Sequence, residues 1–270
     1  MQEFALPLLA AIAQGVGTAA GGKPVIGLQA PVGAGKTTLS RQLQQLAQQQ
    51  GIRLAVASID DAYLPWQERQ QRLAGNPFGV NRVPPGSHEP EVLCGAIAAW
   101  RRGSALQLPR FDKTLQAGQG DRSGWSQETA DALLLEGWML GYAPLPAAEL
   151  EKLTVHAVAP LSNAERAWLP RWNAELEAYQ NLWRCCDSFW VIQPLDWGRV
   201  MRWRLQAEAK QRRMSGVALS GEALRQLVRA TQASLPPQLY QAPLDARAEA
   251  VALLDGQRRC LEVRLRSRLR

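Results

Sequence analysis

The sequence is poor in the residues from which metal and redox centres are built. It has two histidines, His88 and His156, and four cysteines, Cys94, Cys185, Cys186 and Cys260, none in a CxxC spacing. That argues against the usual zinc frameworks and suits reduced thiols, so a cytoplasmic setting is expected. The vicinal pair Cys185-Cys186 reads as packing. No run is long enough to cross a bilayer. The apolar start, residues 4–20, is interrupted by Gln14, Gly15 and Gly17. It follows Glu3 with no Lys or Arg, so it lacks the positive region of a signal peptide and reads as a short helix packed on the domain. No NKxD string of the GTPase kind is present, and neither is a familiar nucleic-acid recognition module. The formal charge of +7 therefore suits an enzyme of anionic small molecules, with no nucleic acid and no membrane as partner. Phenylalanine is scarce, four against ten tryptophans, and the tryptophans are expected in the core.

What is present alternates. The 270 residues suit a single α/β domain. An apolar run at 25–28 reads as a central strand. A helix over 36–50 follows, with Leu39, Leu43, Leu46 and Ala47 on one face and Gly51 as its stop. A second strand, 54–59, runs into Asp60-Asp61. Residues 65–90, broken by Gly75, Asn76-Pro77, Gly79 and Pro84-Pro85-Gly86, read as a long irregular excursion. Then come a helix over 91–102, a loop over 109–125, a strand over 132–135, a helical region over 161–184 and a strand over 189–193. A basic helix over 199–213, a helix over 218–230 and an edge strand over 260–265 complete the chain. Strands separated by helices predict a mostly parallel sheet covered on both faces, with substrate loops over about 65–125 and a basic helical lid over about 199–216.

Ala30-Pro31-Val32-Gly33-Ala34-Gly35-Lys36-Thr37-Thr38 follows a strand and opens a helix, the context a P-loop requires. Backbone amides at Gly33, Ala34, Gly35 and Lys36 can wrap an anion, and the helix start adds partial positive charge. Lys36 then meets the β- and γ-phosphates of ATP, Thr38 lies beside them, and the Thr37 hydroxyl takes Mg²⁺. The pattern wants glycine where Ala30 stands, which is acceptable only with a negative φ.

Ligands of open α/β sheets bind at strand ends. Asp60 and Asp61 lie at one such end, in Ser58-Ile59-Asp60-Asp61-Ala62-Tyr63, where a carboxylate can accept the proton of a transferable hydroxyl. Glu136 follows the apolar strand at another end and is expected to hold Mg²⁺ with Thr37. Between them Arg82, His88, Arg110, Asp112, Lys113, Asp121 and Arg122 lie on glycine- and proline-rich loops, where Arg and Lys are natural clamps for carboxylate or phosphate. Arg199, Arg202, Arg204, Lys210, Arg212 and Arg213 could form a lid over the triphosphate, Arg204 among its nucleotide contacts. The competing reading of that stretch is a surface helix balanced by Glu208 and Glu222.

These motifs resemble plant-type D-glycerate 3-kinase. The resemblance rests on the P-loop, on residues 58–64, on Pro85-Gly86-Ser87-His88, Pro109-Arg110-Phe111-Asp112-Lys113 and residues 118–122, and on Leu135-Glu136-Gly137-Trp138-Met139-Leu140-Gly141. Trp203-Arg204-Leu205-Gln206-Ala207-Glu208 and Met214-Ser215 extend it. More distantly, the layout is similar to uridine kinase, pantothenate kinase and phosphoribulokinase. The resemblance implies transfer of the ATP γ-phosphate to the 3-hydroxyl of D-glycerate, giving 3-phosphoglycerate as in photorespiratory salvage. It places Asp60 as base, with Lys36 and Glu136 beside it in catalysis. It puts Asp61, Tyr63, His88, Arg110, Asp112, Lys113 and Arg122 near the acceptor. Ala62 stands where the family usually has an aromatic, and beyond residue 240 the match is slight, which leaves adenine contacts unassigned.

Overall fold

The structure is a computed structural model and describes residues 1–156, 161–215 and 220–266. In chain order the elements are α1 (Gln2–Gly15), β1 (Val25–Gln29), α2 (Lys36–Gln49), β2 (Leu54–Ser58), α3 (Trp66–Arg72), α4 (Pro90–Arg101), β3 (Leu106–Asp112), β4 (Asp121–Glu128) and β5 (Ala132–Gly137). They continue with α5 (Ala147–His156), α6 (Asn163–Glu175), α7 (Gln180–Cys185), β6 (Ser188–Pro194), α8 (Arg199–Ser215), α9 (Gly221–Ala233), α10 (Pro237–Asp245), β7 (Ala250–Leu254) and β8 (Cys260–Leu265).

Six strands form one sheet in the order β2-β5-β1-β6-β7-β8, parallel except for β8, which runs antiparallel to β7 at the edge. β1 is buried along its whole length, as a strand covered on both faces must be, which is why it reads as an unbroken apolar run. One layer packs α1 and α2 on the sheet through Phe4, Leu8, Ile12, Leu39 and Leu43, with Phe4 edge-on to Trp190 at 5.5 Å. The other layer packs α4, α6 and α7 through Leu93, Ile97, Leu169 and Leu182. Six tryptophans are buried, at 100, 138, 172, 183, 190 and 203, as their abundance led one to expect. Cys185 and Cys186 are half-buried against the same core.

The stretch at 109–125, expected as a loop, is a β-hairpin instead. β3 and β4 pair antiparallel from Leu106↔Glu128 to Asp112↔Asp121, with a bulge between Arg110 and Phe111. β4 is largely exposed and polar, so it carries no apolar alternation, and Pro109 and Gly124 resemble loop punctuation. A two-stranded edge tolerates both. The excursion at 65–90 likewise contains the short helix α3.

The helix expected at 199–213 extends to Ser215. Gly216 of the expected lid and the first two residues of the helix expected at 218–230 lie outside the described residues. Three elements had no counterpart in the sequence reading, the first of them α5. α10 contains Pro237 and Pro243, and β7 is an apolar run too short to carry a period. Among the described residues no helix is long and apolar enough to cross a membrane.

Candidate active site

The chain leaves β1 towards β2 and β5 on one side and towards β6 and β7 on the other, so a crevice opens beyond the carboxyl end of β1. The register levels the neighbouring strand ends, since Glu136 of β5 stands opposite Leu28 of β1 and Ser58 of β2. The phosphate loop, Asp60 and Glu136 therefore face one cavity of about 420 Å³.

The loop is built by its glycines. Gly33 has φ +78° and Gly35 φ +99°, conformations that L side chains rarely adopt. At Gly33 a Cβ would lie 2.7 Å from the Arg204 backbone nitrogen, so the loop passes directly against α8. Ala30 is buried and is not among the residues with positive φ, which meets the condition its presence sets. The first amides of α2 lack intrahelical acceptors, as at any helix start, and Gly33, Gly35, Lys36, Thr37 and Thr38 line the cavity while Ala34 is buried behind them. Lys36 Nζ donates to the Ala30 carbonyl at 3.0 Å and lies 3.7 Å from Glu136 Oε2.

Asp60 is fixed by the short turn after β2. The Asp60 amide donates to Ser58 Oγ at 3.3 Å, and the Ser58 amide donates to Asp61 Oδ2 at 3.1 Å. Asp61 thus serves the turn, and Asp60 faces the cavity. Burial pushes the Asp60 carboxyl up, but the Lys113 ammonium at 2.9 Å and the charge of Lys36 together hold it below the usual carboxylate range. Burial raises Glu136, and Lys36 opposes that rise. Among the described residues Glu136 Oε2 has no hydrogen-bond partner. A buried carboxylate oxygen without a hydrogen bond, in the cavity that Thr37 also lines, fits a hard cation that completes its shell with water and phosphate oxygens. Among the described residues no group of three or more acidic, His or Cys side chains could hold a metal by itself.

Not every residue expected at the acceptor end reaches it. Lys113, at the tip of the β3–β4 hairpin, and Tyr63 line the cavity. His88 stands behind Tyr63, stacked on its ring at 4.2 Å, with Nδ1 hydrogen-bonded to the Tyr179 hydroxyl at 2.9 Å. Burial lowers the His88 pKa to about 3, so the ring is neutral. Arg110 is paired with Glu128 at 3.0 Å. Arg122 donates to Glu89 at 2.6 Å and to the Tyr63 carbonyl at 2.7 Å. Asp112 accepts from the amide and hydroxyl of Thr114 and closes the hairpin turn. These three lie outside the cavity lining.

On α8, Arg204, Gln206 and Ala207 line the cavity, with Arg204 paired to Glu208 at 2.8 Å. Glu222 pairs instead with Arg225. Of the loop cations named as possible clamps, Arg82 also reaches the cavity, from the excursion at 65–90. One lining cation, Arg258, had no role in the sequence reading. Arg258, in the β7–β8 turn, donates from Nε to the Gly33 carbonyl at 2.8 Å and from Nη2 to the Trp203 carbonyl at 3.0 Å. It ties the phosphate loop to α8 across 225 residues of sequence, a link no local signal could reveal.

No protein-family profile matches the chain. It is 33% identical over 248 residues, 86% of its length, to the chloroplastic D-glycerate 3-kinase of Arabidopsis thaliana, and it covers 52% of that protein. It thus spans about half the length of that curated relative. It is 31% identical over 200 residues to the uncharacterized kinase mug58 of Schizosaccharomyces pombe, covering 69% of this chain and 71% of the other. Its fold superposes on the D-glycerate 3-kinase of Cryptococcus neoformans with a TM-score of 0.82 and 29% identity, over 98% of this chain and 97% of that one. A likeness that runs through nearly the whole length, well beyond the phosphate loop, makes the chain a member of the D-glycerate 3-kinase family of P-loop kinases.

Proposed function

We propose that the chain transfers the γ-phosphoryl group of ATP to the 3-hydroxyl of D-glycerate. The observation that carries this is Asp60, an ionised carboxylate in the same cavity as the phosphate loop. Two relatives named as D-glycerate 3-kinases support the choice of acceptor.

In this reading the 3-hydroxyl hydrogen-bonds to Asp60, which orients its oxygen towards the γ-phosphorus and accepts its proton as the new O–P bond forms. The bond between the γ-phosphorus and the bridging oxygen breaks, and ADP carries the electron pair away. Lys36 neutralises the β- and γ-phosphate oxygens. Thr37 and Glu136 would hold Mg²⁺, which when bound offsets the charge of the phosphates. Tyr63 walls the acceptor end, with His88 packed behind it. Arg204 brings positive charge from α8, and α8 acts as a lid that closes over the triphosphate and excludes water. The phosphate loop, the acceptor elements over 65–125 and this helix work as parts of one domain.

Incubation of the protein with MgATP and D-glycerate, followed by phosphorus NMR of the product, tests the reading. 3-Phosphoglycerate is expected. Phosphorylation at the 2-hydroxyl, or no phosphoglycerate at all, overturns it.

A further inference from the structure

We propose that Arg82 is the residue that recognises the acceptor's carboxylate, and that it makes the site selective for hydroxy acids over uncharged alcohols. The proposal rests on the reading of the chain as a kinase of glycerate.

A carboxylate entering the cavity needs a cation that is not already spent. Arg110 and Arg122 are neutralised by Glu128 and Glu89. His88 is neutral, and Lys113 is engaged by Asp60. Arg82 differs from all of these. It is only 5% exposed, it lines the cavity, and it has no carboxylate partner among the described residues. Among the described residues its one side-chain hydrogen bond runs from Nη1 to the Gln119 carbonyl at 3.1 Å.

The surroundings raise the cost of leaving this charge alone. Arg69, fully buried, stacks on Phe111 and Tyr63 at 4.8 and 5.4 Å and donates to the Gly120 carbonyl. Its Nε and Nη1 have no hydrogen-bond partner among the described residues. Burial, and then the nearby charge of Arg82, bring the Arg69 pKa down to about 10, so the two guanidinium groups feel one another. The Asp121 carboxylate offsets part of this repulsion at Arg69, whereas Arg82 has no carboxylate partner among the described residues, and a bidentate carboxylate is the natural complement of a guanidinium fork.

The backbone is shaped to present Arg82. Val83 has φ +92°, a strained conformation for a β-branched residue and of the kind found where a side chain must be aimed. Gly120 leaves room for the Phe111 ring, which a Cβ there would run into, and also for Arg82 Nη1, 3.2 Å from the same position. Arg82 and Tyr63 thus flank the carboxylate end of a short hydroxy acid, while Asp60 and Lys113 mark the hydroxyl end.

The test compares wild type with Arg82→Gln and Arg82→Lys, using D-glycerate and its uncharged amide, glyceramide, as acceptors. In Arg82→Gln the KM for D-glycerate should rise by about a hundredfold, since a site built around a polar contact loses heavily without it. The preference for glycerate over glyceramide should collapse, while the KM for ATP stays within about twofold. Arg82→Lys should recover part of the preference, which a merely structural role would not give. An unchanged KM and preference in Arg82→Gln overturns the proposal and leaves the kinase reading standing. Calorimetric binding of D-lactate, a carboxylate without the 3-hydroxyl, separates the two ideas where wild type fails to turn over glycerate. Binding lost in Arg82→Gln then supports the carboxylate site and refutes the glycerate reading alone. Binding that is absent, or indifferent to Arg82, overturns the proposal.

Discussion

Lys113 Nζ lies 2.9 Å from Asp60 Oδ2, joining the tip of the β3–β4 hairpin to the turn after β2. The contact holds a cation against the group proposed as base. Lys113 is about half exposed, at 48%, so it can leave Asp60 without a large desolvation change when an acceptor enters.

With Asp60 as the base, Asp60→Asn should lower kcat by about 10²- to 10⁴-fold, the range for loss of a general base. The loop that binds the phosphates is untouched, so the dissociation constant for ATP, read by calorimetry, should stay within a few-fold. A variant that turns over normally excludes the assignment.

Lys113 keeps Asp60 ionised in acid. The sign is fixed: removing the cation raises the Asp60 pKa, so Lys113→Met should shift the acid limb of kcat/KM to higher pH. A pH–rate profile checks this, and coincident acid limbs in the two proteins would contradict it.

Glu136 Oε2 is buried and, among the described residues, lacks a hydrogen-bond partner. Chelation of Mg²⁺ should abolish phosphoryl transfer. Glu136→Gln should raise the Mg²⁺ concentration for half-maximal rate by about tenfold or more, judged from the sensitivity of metal sites to their supporting groups. A Mg²⁺ titration of both proteins at saturating ATP provides the comparison.

His88 is buried neutral, with a pKa lowered from 6.5 to about 3. Between those values the unfolded chain binds a proton that the folded chain refuses, so its contribution to stability is present above pH 6.5 and is lost as pH falls towards 3. Each pH unit well inside the window costs about 1.4 kcal/mol for one proton. The groups facing the ring are Tyr63, Tyr179, Ser87, Asp60 and Arg69. Denaturant titrations of wild type and His88→Gln should show a stability gap that narrows as pH drops from 6.5 to 5. A gap independent of pH would contradict a neutral buried ring.

The parts of the site legible in sequence were those set by neighbouring residues. The phosphate loop is one contiguous string whose glycines and Lys36 declare its conformation, and Asp60 and Glu136 follow apolar runs that read as strands. What stayed hidden depends on partners brought close by folding. Arg110, Arg122 and Arg82 look alike in stretches rich in glycine and proline. Only the tertiary pairing of Arg110 with Glu128 and of Arg122 with Glu89 leaves Arg82, of these three, without a carboxylate partner among the described residues. The β3–β4 hairpin was hidden for a related reason, since cross-strand pairing rather than burial organises β4. Arg258 reaches Gly33 from the far end of the chain.

The central claim is tested most directly by ADP release from MgATP, with and without D-glycerate and with uridine and pantothenate as alternative acceptors. Stimulation by D-glycerate alone is predicted. Stimulation by uridine or pantothenate in its place, or by none of the three, would contradict the assignment of a hydroxy acid to the cavity beside Asp60.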